Sequence, residues 1–190
     1  MIVYCATSNP GKVREFQAAG KGFDVRALSA AVSPPEEHGL TFEDNAIAKA
    51  EYYGQFEKGF LFAEDSGLEV EALGGAPGVY SARYARPNAT DEENNALLLA
   101  RLEGVKDRRA RFVCVAALVK DGARVDTFRG VVEGRIADGL RGTNGFGYDP
   151  LFYYEPFGCT FGEAPLPEKM RVSHRGQALA AMFGYLGKLA

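Results

Sequence analysis

Apolar positions along the 190-residue chain alternate between two spacings, and the switches between them outline a set of elements. Short runs rich in β-branched and aromatic residues, Ile2 to Ala6, Phe23 to Ala27 and Phe60 to Ala63, predict strands bounded by turn-forming residues. Between the first two, a helix is predicted from Lys12 to a stop at Gly20, with Val13, Phe16 and Gln17 on one side. Thr41 and Asp44 are spaced as a capping box with the shorter acid, and they open an Ala-rich helix to about Phe56. Leu68 to Leu73 alternates apolar and acidic residues, the pattern of a half-exposed strand. Thr90 and Glu93 cap a further helix through Leu102. Arg111 to Lys120 and Arg124 to Glu133 flank Asp121-Gly122, which predicts a hairpin of two long antiparallel strands. A short strand at Leu151 to Tyr154 follows, and Ala178, Leu179, Met182, Phe183 and Leu186 mark one face of a C-terminal helix. Strands and helices interleave around one antiparallel hairpin, so the expected class is mixed α/β.

Length, charge and cysteine usage narrow the picture. The chain can form one substantial domain, residues 1–190, or two small lobes. A net charge of −3 argues against a nucleic-acid partner held by a bulk basic surface, although a small anion needs only a few placed cations. No apolar run approaches the length of a membrane span, and there is no secretory leader pattern. Cys5, Cys114 and Cys159 are scattered, and only two histidines are present, which argues against a Cys/His zinc site. Reduced cytosol is the expected compartment.

The chemistry concentrates at one junction. The apolar run ending at Ala63 drives into Glu64-Asp65-Ser66-Gly67, where the strand is expected to stop and Gly67 to allow a sharp turn. An unpaired buried carboxylate costs several kcal/mol, on the order known for ions after relaxation. Strand alternation sends Glu64 and Asp65 to opposite faces, so at least one needs a cation or a basic partner. A metal or catalytic site and a satisfied ion pair both answer that need.

Four other segments carry candidate ligand groups. Thr7-Ser8-Asn9-Pro10-Gly11-Lys12 is a strand-to-helix turn whose amides, side chains and lysine suit phosphate, without the spacing of a Walker A loop. Glu36-Glu37 could join Asp65 in holding Mg²⁺, which takes one or two carboxylates and leaves its other positions to water and phosphate. Asn45 and Lys49 share a helix face. The Thr143–Pro150 stretch sets Phe146 between glycines, which lets backbone approach a planar ligand while the ring stacks on it. Lastly, Lys169 precedes Ser173-His174-Arg175, where Ser173 is placed to cap the last helix and cations sit in its first turn.

In chain order, ATSNPGKVREF, EEHGLTFEDNAIAKA, AEDSGLEVEALGGAPGVYSARYA, NGFGYDPLF and SHRGQAL span residues 5–181 and resemble the inosine triphosphate pyrophosphatase family. The resemblance implies an α/β fold with a curved mixed central sheet flanked by helices, two lobes around a nucleotide cleft, and a cytoplasmic homodimer. It implies Mg²⁺-dependent hydrolysis of ITP, dITP and XTP to the monophosphate and pyrophosphate. By the same resemblance Asp65 is general base and metal ligand, and Glu36 is the second metal contact. Thr7, Ser8, Asn9, Pro10, Gly11 and Lys12 would hold the triphosphate with Lys49 and Ser66. Phe146 would stack on the base, with Gly147, Tyr148 and Asp149 completing its pocket and Lys169, His174 and Arg175 reading its edge. The chain departs from the family's usual pattern in carrying Glu64 before Asp65 and Asp44 in place of a glutamate. A Maf-type pyrophosphatase for pyrimidine or modified nucleotides, and a nucleotide sensor without turnover, are the competing readings.

Overall fold

A computed structural model of the chain describes residues 1–7, 9–28 and 32–189. Its elements run β1 (Ile2–Cys5), α1 (Pro10–Ala19), β2 (Asp24–Ala27), α2 (Phe42–Tyr53), β3 (Phe60–Val70) and α3 (Asp91–Arg101). They continue with β4 (Arg109–Lys120), β5 (Ala123–Ile136), β6 (Phe152–Tyr154), β7 (Cys159–Thr160), α4 (Leu166–Val172) and α5 (His174–Gly187). Seven strands form one sheet in the order β2-β1-β3-β4-β5-β6-β7. β1 pairs in parallel with both β2 and β3, whereas β5–β6 and β6–β7 are antiparallel, so the sheet is mixed. No helix among the described residues is long and apolar enough to cross a membrane.

Local signals held where one short segment decides the geometry. Asp121 and Gly122 both take positive φ, 52° and 83°, the conformation a two-residue hairpin between twisted strands demands. Thr90 and Glu93 form a complete capping box at α3. At α2 the shorter acid changes the pattern. Thr41 accepts the Asp44 N–H at 3.1 Å and donates its hydroxyl to the Asp44 carboxylate at 2.7 Å.

Two expectations are corrected. The junction does not end a strand: β3 continues from Phe60 through Glu64, Asp65 and Gly67 to Val70, and only then turns into a short 3₁₀ segment, Glu71–Leu73. β1 and β4 flank β3 in the sheet, and their ladders keep the backbone extended past the acids. The buried face of α1 carries Gly11, Glu15 and Phe16, while Gln17 is exposed. Helix α4 and strand β7 were not predicted; both are short and lack a periodic apolar face.

The chain divides into two compact units. Unit 1 comprises residues 1–65, 114–130 and 174–190, and unit 2 comprises residues 66–113 and 131–173. In unit 1, Phe62 of β3 packs edge-on against Phe16 of α1 at 5.0 Å and against Phe183 of α5 at 6.1 Å, closing the helices onto the sheet. Unit 2 has its own core, in which Phe112, Phe152 and Phe161 pack with Leu68, Leu98 and Ile136.

Candidate functional site

In unit 1 the two acids of β3 face different partners, as strand alternation requires. Glu64 points with Phe62 towards α1 and α5. Lys12 Nζ lies 2.5 Å from its Oε1, and Arg175 Nη2 lies 3.5 Å from its Oε2. Arg175 in turn binds Glu15 at 2.6 Å, and the Cys114 thiol on β4 donates to Glu64 Oε2 at 3.3 Å. All four of Glu15, Glu64, Cys114 and Arg175 are buried. Burial works against ionisation of Glu64, but Arg175, Lys12 and Lys49 hold its carboxyl well below the usual range. The Cys114 thiol is pushed well up by burial and by that carboxylate, so it is a neutral donor.

Asp65 faces α2. Its Oδ1 accepts from Lys49 Nζ at 2.8 Å and its Oδ2 from Asn45 Nδ2 at 3.1 Å. Asn45 also accepts the Gly39 N–H at 2.8 Å, which ties the loop before α2 to the acid. A Cβ on Gly39 would lie 2.5 Å from that acceptor oxygen, so the approach requires glycine. Glu37 binds the far side of Lys49 at 2.8 Å. One ammonium therefore serves two carboxylates. Burial raises the pKa of Asp65 against the pull of Lys49, and the charges of Glu37 and Glu64 add to the rise. Burial opposes the charge on Lys49, yet Asp65, Glu37 and Glu64 together raise its pKa, so the lysine stays charged. Across both faces, three cations (Lys12, Lys49, Arg175) meet four carboxylates (Glu15, Glu37, Glu64, Asp65).

The sequence offered the Glu36-Glu37 pair, and by resemblance Glu36, as the acid beside Asp65; in the structure it is Glu37 that shares Lys49 with Asp65. Glu36 is exposed and pairs with His38 at 3.0 Å, because neighbours in an extended loop point apart. Glu15 was missed altogether. Its only signal is a charge on the buried side of α1, beside Phe16. Arg175, expected at a base edge, lies inside the carboxylate network of unit 1, and His174 is buried beside it at the start of α5.

The N-terminal turn is arranged as a cap. Asn9 Oδ1 accepts the N–H groups of Gly11 at 2.8 Å and Lys12 at 3.2 Å, Pro10 has none to give, and Thr7 Oγ1 accepts the Asn9 N–H at 3.1 Å. The expected phosphate amides are thus occupied by Asn9 in this structure. Ser8 lies outside the described residues. Ser66 follows Asp65 on β3 and is half-buried.

Unit 2 brings together a second set. Asp149 Oδ2 accepts from Lys169 Nζ at 2.5 Å and from the Phe146 N–H at 2.9 Å. Both members of that ion pair are buried, and the ammonium also lies 5.4 Å from the centroid of the Phe146 ring. Tyr148 is more structural than expected: its ring joins the core, and its hydroxyl donates to the Ser81 carbonyl at 2.9 Å.

Magnesium can be tested against these donors. Among the described residues no three His, Cys, Asp or Glu side chains cluster as a closed metal cage. Asp65 and Glu37 both contact one ammonium at 2.8 Å, so two carboxylates already converge on a cation position. That donor set fits Mg²⁺, which keeps water and phosphate oxygens for its remaining positions.

The fold and these groups define a mixed α/β protein with an over-subscribed acid–lysine network at mid-strand and a glycine–aromatic loop braced by a buried ion pair. The chain belongs to the Ham1 family, whose model matches residues 3–185. A dITP/XTP pyrophosphatase of an Exiguobacterium species is 49% identical over 94% of this chain and 93% of the relative. A dITP/XTP pyrophosphatase of Geobacter sulfurreducens is 48% identical over 96% of this chain and 94% of the relative. The structure of a HAM1 protein from Coxiella burnetii superposes with a TM-score of 0.88 at 40% identity, over 99% of each chain.

Proposed function

We propose that this protein hydrolyses non-standard purine nucleoside triphosphates, dITP, XTP and ITP, to the monophosphate and pyrophosphate. The observation that carries the chemistry is Asp65: a buried carboxylate, oriented by Asn45 and Lys49, with its pKa raised by burial. A base so placed takes a proton from water as the water oxygen bonds to the α-phosphorus. The bond from that phosphorus to the bridging oxygen breaks, and the electron pair leaves with pyrophosphate. Lys12 and Lys49 offset the triphosphate charge, and Ser66 and the Thr7–Lys12 turn complete its binding. Mg²⁺, held by Asp65 and by an acid of the Glu36–Glu37 pair, would neutralise phosphate charge and polarise the phosphoryl oxygens.

The base is assigned to unit 2, with Phe146 stacking and the Lys169–Asp149 pair near its ring. Donors facing a 6-keto group reject adenine, whose amino group would leave them unpaired. A homodimer in the cytoplasm is part of the same proposal, and light scattering on the purified chain checks the dimer. The decisive experiment measures pyrophosphate release from dITP, XTP, dTTP and UTP with Mg²⁺ and with EDTA. Rapid release from dITP and XTP that EDTA abolishes supports the proposal; preference for dTTP or UTP sinks it.

A further inference from the structure

Helix α3 holds two loops of unit 2 at once. Asn94 and Asn95 are adjacent and 3% and 4% exposed, and burying two amides is costly unless each makes a needed bond. Asn94 accepts the Ala85 N–H at 2.9 Å and donates to the Ala82 carbonyl at 3.2 Å, fixing the end of the 3₁₀ turn Gly78–Arg83 and the residues just after it. Asn95 donates to the Gly147 carbonyl at 2.9 Å. Asp91, one helical turn earlier, accepts the Gly147 N–H at 2.6 Å. Both polar backbone groups of Gly147 are therefore held by side chains of α3. The preceding N–H, that of Phe146, is held by Asp149. The Oδ1 of Asn95 meets no hydrogen-bond partner among the described residues, so the bond to Gly147 is what orients this buried amide.

We propose that Asp91 and Asn95 are positioning residues for base recognition: from α3 they fix the Gly147 peptide groups and so set the plane of the neighbouring Phe146 ring. The inference rests on the reading that Phe146 stacks on the purine. A freed loop must be ordered each time substrate binds, and stacking is made equally in the ground state and the transition state. Loss of the clamp therefore raises KM and leaves kcat nearly unchanged.

The test uses the full chain with dITP and Mg²⁺. Asp91 is exposed, so Asp91→Ala folds; it should raise KM about tenfold, the worth of one charge-assisted hydrogen bond, with kcat changed less than about twofold. Asp91→Asn keeps an acceptor oxygen and should restore KM. Asn95→Asp, which replaces the donor by an acceptor at the same volume, should raise KM again. Phe146→Ala, measured in parallel, separates the two ideas. A raised KM there with an unchanged KM in Asp91→Ala overturns the clamp and leaves the stacking assignment standing. An unchanged KM in Phe146→Ala overturns the stacking assignment and the clamp with it. A fall in kcat at constant KM in Asp91→Ala also overturns the clamp.

Discussion

Glu64 and Asp65 are neighbours in sequence, both buried, and chemically almost identical, yet the two faces of β3 treat them oppositely. On the α1/α5 face Glu64 receives Arg175, Lys12 and a thiol, and its proton is held off. On the α2 face Asp65 shares a single lysine with Glu37, and its pKa rises. Cation supply, not burial, makes the difference. A saturated acid is a fixed charge; an under-supplied one takes up a proton more readily. The pair is thus divided into a member held charged and a member open to protonation, the one proposed as the base.

The largest effect should come from removing the proposed base, Asp65. Asp65→Asn is expected to lower kcat by roughly 10²–10⁴-fold, the range for a general base, while equilibrium binding of dITP persists. Because the native fold raises the pKa of Asp65, its charge opposes folding above that pKa. Stability from this group falls as pH rises through it. Asp65→Asn should then be at least as stable as the parent at neutral pH, measured by urea denaturation. Marked destabilisation would show that the acid is a structural ion pair after all.

On the other face, Glu15→Ala takes from buried Arg175 the nearer of its two carboxylates, Glu15 rather than Glu64. Breaking such a pair costs about 3–5 kcal/mol, visible in the same denaturation curves. Acid titration should separate the two acids by sign. Glu64 has a depressed pKa, so its contribution is present above the ordinary glutamate value of 4.5 and is lost as pH falls through the lower folded-state value. The stability gap between the parent and Glu64→Gln should therefore close on acidification.

A subtler effect concerns activity. Removing the Glu64 charge removes one cause of the raised Asp65 pKa, so the acidic limb of kcat/KM should move to lower pH in Glu64→Gln. No shift would show that the two faces are electrostatically insulated, and a shift upward would contradict the expected sign of the coupling. The smallest change is expected from Cys114→Ala, which deletes one neutral donor to Glu64 and should cost about 1 kcal/mol with little effect on rate.

The sequence by itself determined the elements that short-range physics controls. Asp121-Gly122 set a hairpin through φ, Thr90 and Glu93 set a helix start through two reciprocal bonds, and alternation along residues 60–65 sent the acids to opposite faces. It also determined which residue types were present at the candidate site, since the ordered motifs are local strings. Only the tertiary structure decided how the charges are shared. Glu15 and Arg175 meet across 160 residues of chain, Glu37 rather than Glu36 reaches Lys49, and β3 runs on through the acids between its two neighbours. Coulomb energies depend on distance and on burial together, and neither is set by spacing along the chain. Which of the two acids is open to protonation therefore follows from where the cations come to rest.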